Sequence, residues 1–245
     1  SSFLVGAKDR VMNYDYVCFM HDKKTAQLKP YCVGKDFRYK CYEGNLSSKS
    51  YVENILNLFK ENEKLGILMP PPPNHSNFYH TLGNEWASNL ENTKKLSEKL
   101  KLKTKVHWAD EPISPLGTMF WFRPKAMKKL FDYDWEYEDF PKEPNENDGT
   151  ILHAVERIYG YVVQDAGYYG AWVMTEKLAR VELTNLYFAS SEINKALFRK
   201  RYSTSLYGIV EIISNSKGSL TYKFRLALKK ILPKFIWNKL KKIYL

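Results

Sequence analysis

The stretch YDYVCFMHDKK, Tyr14 to Lys24, opens with an apolar run, Tyr16 to Met20, of the length of a buried β-strand. It breaks off in His21, Asp22, Lys23 and Lys24. A strand that delivers an imidazole, a carboxylate and two ammonium groups at its carboxyl end points to an open α/β sheet, where ligands sit beyond the strand ends. Those four side chains suit a diphosphate, with or without a divalent metal ion. A solvated turn accounts for the same four residues equally well.

Outward from this strand, residues 3–13 read as a helix leading into it. Residues 25–50 are polar and turn-rich, with Lys29-Pro30 and Glu43-Gly44-Asn45, and read as a loop over one rim. Apolar residues at 52, 55, 56 and 59 give residues 51–60 a helical spacing. Leu65 to Met69 is a second strand, ended by Pro70 to Pro73, which cannot continue a ladder. Residues 85–101 form a charged helix. Met119 to Phe122 is a third strand, and Pro124 sits where a helix begins. Residues 132–147, rich in Asp, Glu, Asn and Pro, form a loop. A helix over 149–159 follows, with Asp148 placed as its N-cap. Residues 161–163 read as a last strand with a polar exit, Gln164 to Gly167. Strands alternating with helices argue an α/β fold.

With 245 residues the chain can hold one or two domains. Cysteines at 18, 32 and 41 are odd in number and lack zinc spacing, which fits a reduced, cytoplasmic setting. No apolar run is long enough to span a bilayer. The net charge of +11 is concentrated between Ser216 and Leu245, where Lys and Arg occur without any acidic residue. There, apolar residues at 224, 228, 231, 232, 235, 236, 240 and 243 leave Lys on the opposite face, interrupted at Pro233. A basic amphipathic helix over 220–245 is expected to lie on a membrane surface or to pack on a neighbouring domain. No nucleic-acid module is recognisable, so no nucleic-acid partner is expected.

Transfer of a sugar from a nucleotide diphosphate needs two centres. One offsets the charge growing on the leaving diphosphate, and the other takes the proton of the attacking hydroxyl. His21, Asp22, Lys23 and Lys24, with Gly117 and Thr118 before the third strand, are candidates for the first. The acidic loop, with Glu138, Asp139 and Asp148, supplies candidates for the second. Asp148 also fits a plain helix cap, Glu138 and Asp139 a solvated loop face, and His153 and Glu156 ordinary positions on an amphipathic helix.

The segments YDYVCFMHDKK, YVENILNLFKENEKLGILMPPPP, ISPLGTMFWFRPKAMKKLF, DGTILHAVERIYGY and VVQDAGYYGAWVM together resemble the rhamnan synthesis F family of bacterial cell-wall and lipopolysaccharide assembly, over roughly residues 3–175. The resemblance implies a GT-A-like, Rossmann-like mixed sheet flanked by helices over residues 1–180, with a helical basic extension over 181–245. It implies a glycosyltransferase that moves a deoxysugar, rhamnose from dTDP-rhamnose, to a lipid-linked glycan at the inner face of the bacterial plasma membrane. Carried over by position, Asp22 would face the diphosphate or a Mg2+ or Mn2+ ion. Gly117 and Thr118 would line the donor sugar, Trp121, Arg123 and His153 the acceptor side, and Asp148 would be the base, with Glu138 and Asp139 in reserve. Two departures stand out. The strand-end motif is His-Asp-Lys rather than Asp-x-Asp, and nothing before Asp15 supplies the strand and loop that grip a nucleotide base, so the natural chain is expected to extend upstream. A non-catalytic glycan-binding or scaffolding subunit of the same fold is the alternative.

Overall fold

A computed structural model describes residues 2–23, 25, 29–73, 84–108, 111–142 and 144–197, with 193–197 as backbone alone. Lys24 and the basic segment 220–245 lie outside the described residues. The chain divides into two compact units, Ser1–Tyr187 and Phe188–Leu245.

The first unit is a mixed α/β fold. A π-helical turn, Ser2–Gly6, and a short helix α1, Lys8–Val11, lead into strand β1, Val17–Phe19. Helices α2, Tyr31–Leu46, and α3, Lys49–Glu61, precede strand β2, Leu65–Met69. Helix α4, Leu90–Lys99, is followed by strand β3, Phe120–Phe122. A 3-10 turn with Pro124 at its start runs into helix α5, Lys128–Asp132. Helix α6, Ile151–Asp165, strand β4, Tyr169–Trp172, and helix α7, Glu176–Leu197, of which the residues up to Tyr187 belong to this unit, complete the order. The sheet runs β1-β3-β2-β4, with β2 and β4 parallel and the other two pairs antiparallel.

Side chains alternate across this sheet as the pleat requires. Phe120 and Phe122 of β3, with Ile67 and Met69 of β2, enter the larger core under α5 and α6. Trp121 and Leu68 turn the other way onto Ile55 and Phe59 of α3. Phe3 stacks on Phe19 at 4.1 Å between ring centres and meets Phe120, Phe122 and Phe131 edge-on, so the N-terminal turn closes the larger core. β1 is an edge strand and only half-buried, not the buried strand its apolar run suggests.

Three readings of the sequence are corrected. The rim expected to carry a loop over residues 25–50 carries α2. Its buried face consists of Val33, Gly34, Lys40, Cys41, Gly44 and Asn45, a helical spacing made of small and polar residues. Residues 161–163 belong to α6, where they close an unbroken buried run from Arg157 to Val163. Gly167, at φ +78°, ends that helix. Its N–H donates to the Gln164 carbonyl at 2.9 Å and that of Tyr168 to the Val163 carbonyl at 3.0 Å, the paired bonds of a glycine C-terminus. The last strand begins only at Tyr169. α6 also starts at Ile151, with Thr150 as its N-cap in a reciprocal pair with His153, so Asp148 is not the cap.

Candidate functional site

The strand pairings settle which loops meet. Phe19 pairs with Phe120 and Leu68 with Trp121, while Met69 lies beside Trp172 in the parallel pair. The exits of β1, β2 and β4 and the entry to β3 therefore share one rim of the sheet. His21 to Lys23, Pro70 to Pro73, Gly117 to Met119 and Val173 to Glu176 all emerge there.

α2 crosses this rim. Tyr42 donates its hydroxyl to the His21 carbonyl at 3.1 Å, Asn45 donates to the Met119 carbonyl at 3.2 Å, and Trp121 donates its indole N–H to the Asn45 carbonyl at 3.0 Å. A Cβ on Gly44 would sit 2.8 Å from Pro70, so only glycine lets the helix lie this close to the β2 exit. Lys40, one turn before Gly44 on the same buried face of α2, pairs with Glu182 at 2.7 Å and Asp36 at 3.3 Å.

At the β1–β3 end the register brings the two donor-side candidates together. The His21 imidazole meets the Gly117 carbonyl through Nε2 at 2.9 Å and the Asp22 carbonyl through Nδ1 at 3.0 Å. Both partners are carbonyl acceptors, so each contact is made by a ring N–H. Lys23 lies with its ammonium 4.4 Å from the centre of the Phe37 ring on α2. Among the described residues no donor holds the Asp22 carboxylate, which is exposed.

Thr118 is strained: its φ is +55°, and a β-branched residue in the left-handed region is a true outlier, whereas Gly117 before it, at φ +100°, occupies a region open to glycine. The turn is held by the Thr118 N–H on the Pro115 carbonyl at 2.6 Å and by Glu156 of α6. Glu156 Oε2 accepts from the Gly117 N–H at 2.9 Å and from the Thr118 hydroxyl at 2.5 Å, while Oε1 pairs with Arg157. Side-chain exposures of 13% for Glu156 and 8% for Arg157 make this a nearly buried ion pair. Glu156, read from the sequence only as an ordinary position on an amphipathic helix, is a member of this site. The signal was Gly160 one turn later, whose Cβ would meet the Ile113 carbonyl at 2.2 Å, marking the helix face on which the 113–118 backbone lies. Nearby, the Cys41 thiol is pushed up to about 12 by burial, with Lys23 acting against it, so it stays protonated and inert.

The remaining candidates have structural partners. Trp121 is committed to the core around Ile55 and Phe59 rather than to an acceptor. Arg123 turns its guanidinium onto the Phe59 carbonyl at 2.9 Å and the Leu65 carbonyl at 3.3 Å, over the faces of Tyr16 and Phe59. His153 Nδ1 lies 2.9 Å from the Thr150 hydroxyl. Glu138 and Asp139 sit in an exposed 3-10 turn, Tyr137–Asp139, where Asp139 accepts from the Glu136 N–H at 3.0 Å.

Asp148 is a clamp between α6 and the segment before α4. Its Oδ2 accepts from the Ser88 N–H at 3.1 Å and the Ser88 hydroxyl at 2.5 Å, and its Oδ1 from the Asn89 amide at 2.6 Å. Partial burial alone would raise its carboxyl. The hydrogen bonds from Ser88, Asn89 and the Gly149 backbone outweigh that and hold it at about 2. A carboxylate so held is a weak base at neutral pH. Its folded value lies below the ordinary 3.8, so its contribution to stability is complete above 3.8 and is lost as pH falls through about 2. Asp148→Ala is expected to cost about 1–3 kcal/mol in urea unfolding at neutral pH, because it orphans three donors. The variant should lose less stability than the parent as pH falls from about 4 to about 2; an unchanged urea midpoint at neutral pH would remove the clamp.

Among the described residues no group of three or more His, Cys, Asp or Glu side chains could hold a metal ion. Among the described residues no helix is long and apolar enough to cross a membrane.

A family profile described as rhamnan synthesis protein F matches residues 1–168. Two proteins from two strains of Xanthomonas campestris pv. campestris, each named Uncharacterized protein WxcX, are 38% identical to this chain over 52 residues. That stretch is 21% of this chain and 8% of each relative, so the chain spans a small fraction of the relatives' length. No solved structure matches the chain.

Proposed function

Because the chain belongs to the rhamnan synthesis protein F family, and so to polysaccharide synthesis, we propose that it is a GT-A-like glycosyltransferase moving a deoxysugar, rhamnose from dTDP-rhamnose, to a lipid-linked glycan. The observation that carries the reading is the strained Gly117-Thr118 turn, clamped by a nearly buried Glu156 and joined to His21 across 96 residues of sequence. Strain of this kind persists where the surroundings over-determine it, and it gathers at working sites.

In this reading the acceptor oxygen bonds to the anomeric carbon while the bond from that carbon to the diphosphate oxygen breaks. The electron pair leaves with the diphosphate, whose growing charge faces His21 and Lys23. The hydroxyl proton goes to Asp22, the rim carboxylate that no described donor holds, in preference to Asp148. Gly117 and Thr118 act as positioning residues, since the Gly117 N–H is engaged by Glu156 and the Thr118 N–H by Pro115. Segment 220–245, outside the described residues, would hold the protein at the inner face of the plasma membrane.

Asp22→Asn is expected to slow transfer from dTDP-rhamnose by about 10²–10⁴-fold in a radiolabel transfer assay, with donor affinity preserved by calorimetry. Transfer at the parent rate would remove Asp22 from the role. A second reading, a glycan-binding scaffold without catalysis, is favoured by the donor-saturated Asp148 and the single strand-end carboxylate. Calorimetry in which neither dTDP nor dTDP-rhamnose binds, with or without Mg2+, would support the scaffold.

A further inference from the structure

We propose that a hollow at the β4 end of the same rim seats a neutral deoxysugar unit of the glycan acceptor, a subsite that rests on the transferase reading above. The hollow has a volume of about 470 Å³ and lies between the first turns of α3 and the segment leaving β4. Three strand spacings separate it from the His21 end, about 14 Å. An oligosaccharide of a few units laid along the rim covers that span, with its growing end at Asp22 and an earlier unit in the hollow.

The lining decides the class of ligand. Ser47 and Thr175 each donate a hydroxyl proton to Glu43 Oε1 at 3.0 Å, and Tyr51 donates its own to the Gly44 carbonyl at 2.9 Å. Their oxygens line the hollow as acceptors with the protons already committed. Burial, and then the Glu43 carboxylate, push the Tyr51 phenol up, so it stays a neutral hydroxyl. Ser50 and Asn54, both exposed, add donors on the α3 side. Sugar hydroxyls, each donor and acceptor at once, match this alternation.

Charge disfavours the other ligands of such a protein. Among the described residues no Lys, Arg or His lines the hollow, and Glu176, which does, is paired with Arg180. A phosphate, a nucleotide or an acidic sugar would find no cation of the lining to offset its charge. Leu58 and Val173 form an apolar side, suited to the C–H face and methyl group of a 6-deoxyhexose.

The test uses the full chain and a trisaccharide of rhamnose as probe, titrated by calorimetry and by NMR. Asn54→Leu, which removes a donor, and Ser50→Trp, which fills the hollow, alter exposed positions and should leave the thermal midpoint in place. Each is expected to weaken trisaccharide binding about tenfold while dTDP-rhamnose affinity stays within about twofold of the parent. Unchanged trisaccharide affinity in both variants, or no saturable binding by the parent, overturns the subsite. If the trisaccharide binds and the variants weaken it while dTDP-rhamnose neither binds nor is turned over, the subsite stands and the transferase reading fails.

Discussion

Glu156→Gln is expected to lower sugar transfer on the order of 100-fold and to destabilise the fold by about 1.5–3 kcal/mol. The carboxylate works with both oxygens. Oε2 takes the Gly117 N–H and the Thr118 hydroxyl, and Oε1 takes the Arg157 guanidinium. Glutamine has one oxygen and one amide nitrogen, so one of these donor sets must face another donor. If the oxygen stays on the turn, the Arg157 guanidinium loses its counter-charge in a nearly buried site, keeping the Glu85 carbonyl as an acceptor at 2.7 Å. If the amide faces the turn, Gly117 and Thr118 are free to leave φ +100° and +55° for relaxed backbone. His21 then loses the carbonyl that orients its ring, and a displacement of about 1 Å at a reacting site costs about 100-fold in rate.

Kinetics separate a positioning role from a merely structural one. A positioning Glu156 lowers kcat for transfer in protein that urea unfolding shows to be fully folded under assay conditions. A role in folding alone leaves kcat of the folded fraction at the parent value. Arg157→Gln should reproduce the stability loss with less effect on kcat, because it leaves both bonds from Oε2 to the turn in place. Equal kcat in the parent and in Glu156→Gln would detach Glu156 from the site.

Why Glu156 was not legible, while His21, Asp22 and Lys23 were, is a matter of what local pattern can carry. A strand with a polar tip is visible in five consecutive residues, and the β2 strand and the Pro124 helix start are local in the same way. Glu156 meets Gly117 only because β1, β3 and α6 converge, and no window of sequence spans that distance. α2 was hidden for a different reason. Its period of 3.6 is present, at 33, 34, 37, 40, 41, 44 and 45, but it is written in Gly, Lys, Cys and Asn rather than in Leu and Ile. Those residues are buried because the helix lies against Thr25 at Gly34 and against the Pro70 ring at Gly44 and because Lys40 finds two carboxylates.

Asp148 shows the converse. An Asp before a helical run is a fair cap signal, yet Thr150 took that place, and three donors from 59 and 60 residues upstream turned the Asp into a clamp. Residues 161–163 illustrate the ambiguity of short apolar runs. Tyr161, Val162 and Val163 are β-formers by propensity, but nine buried residues between Ala154 and Val163 make a helix covered on all sides, where no polar face marks the period.

Gly160→Ala is the substitution expected to damage the fold most. On an exposed helix the change would stabilise, by about 1 kcal/mol, since alanine is the better helix former. Here the added Cβ would stand 2.2 Å from the Ile113 carbonyl oxygen, 2.7 Å from its Cβ and 3.1 Å from its carbonyl carbon. None of these atoms is the end of a flexible side chain, so the 113–118 segment must move away from α6 as a unit. The steric cost outweighs the propensity gain, and a net loss of about 3 kcal/mol is expected. For a unit of this size that lowers the thermal midpoint by about 6–12 °C.

Gly167→Ala is the control that isolates the cause. Gly167 has φ +78°, with nothing within 4 Å of where its Cβ would lie, so alanine there meets conformational strain without a clash. It should cost about 1–2 kcal/mol. A larger effect at 160 than at 167, in calorimetric melting of the two variants, assigns the loss to backbone contact between α6 and the 113 segment. The same displacement acts on the site, because Ser114 donates its hydroxyl to the Glu156 carbonyl at 2.6 Å and Gly117 and Thr118 follow directly in the chain. Gly160→Ala should therefore also lower donor affinity under conditions where it is folded, and Gly167→Ala should not. If the two variants melt together, the close packing that delivers Glu156 to the strained turn is absent, and the site built on it falls as well.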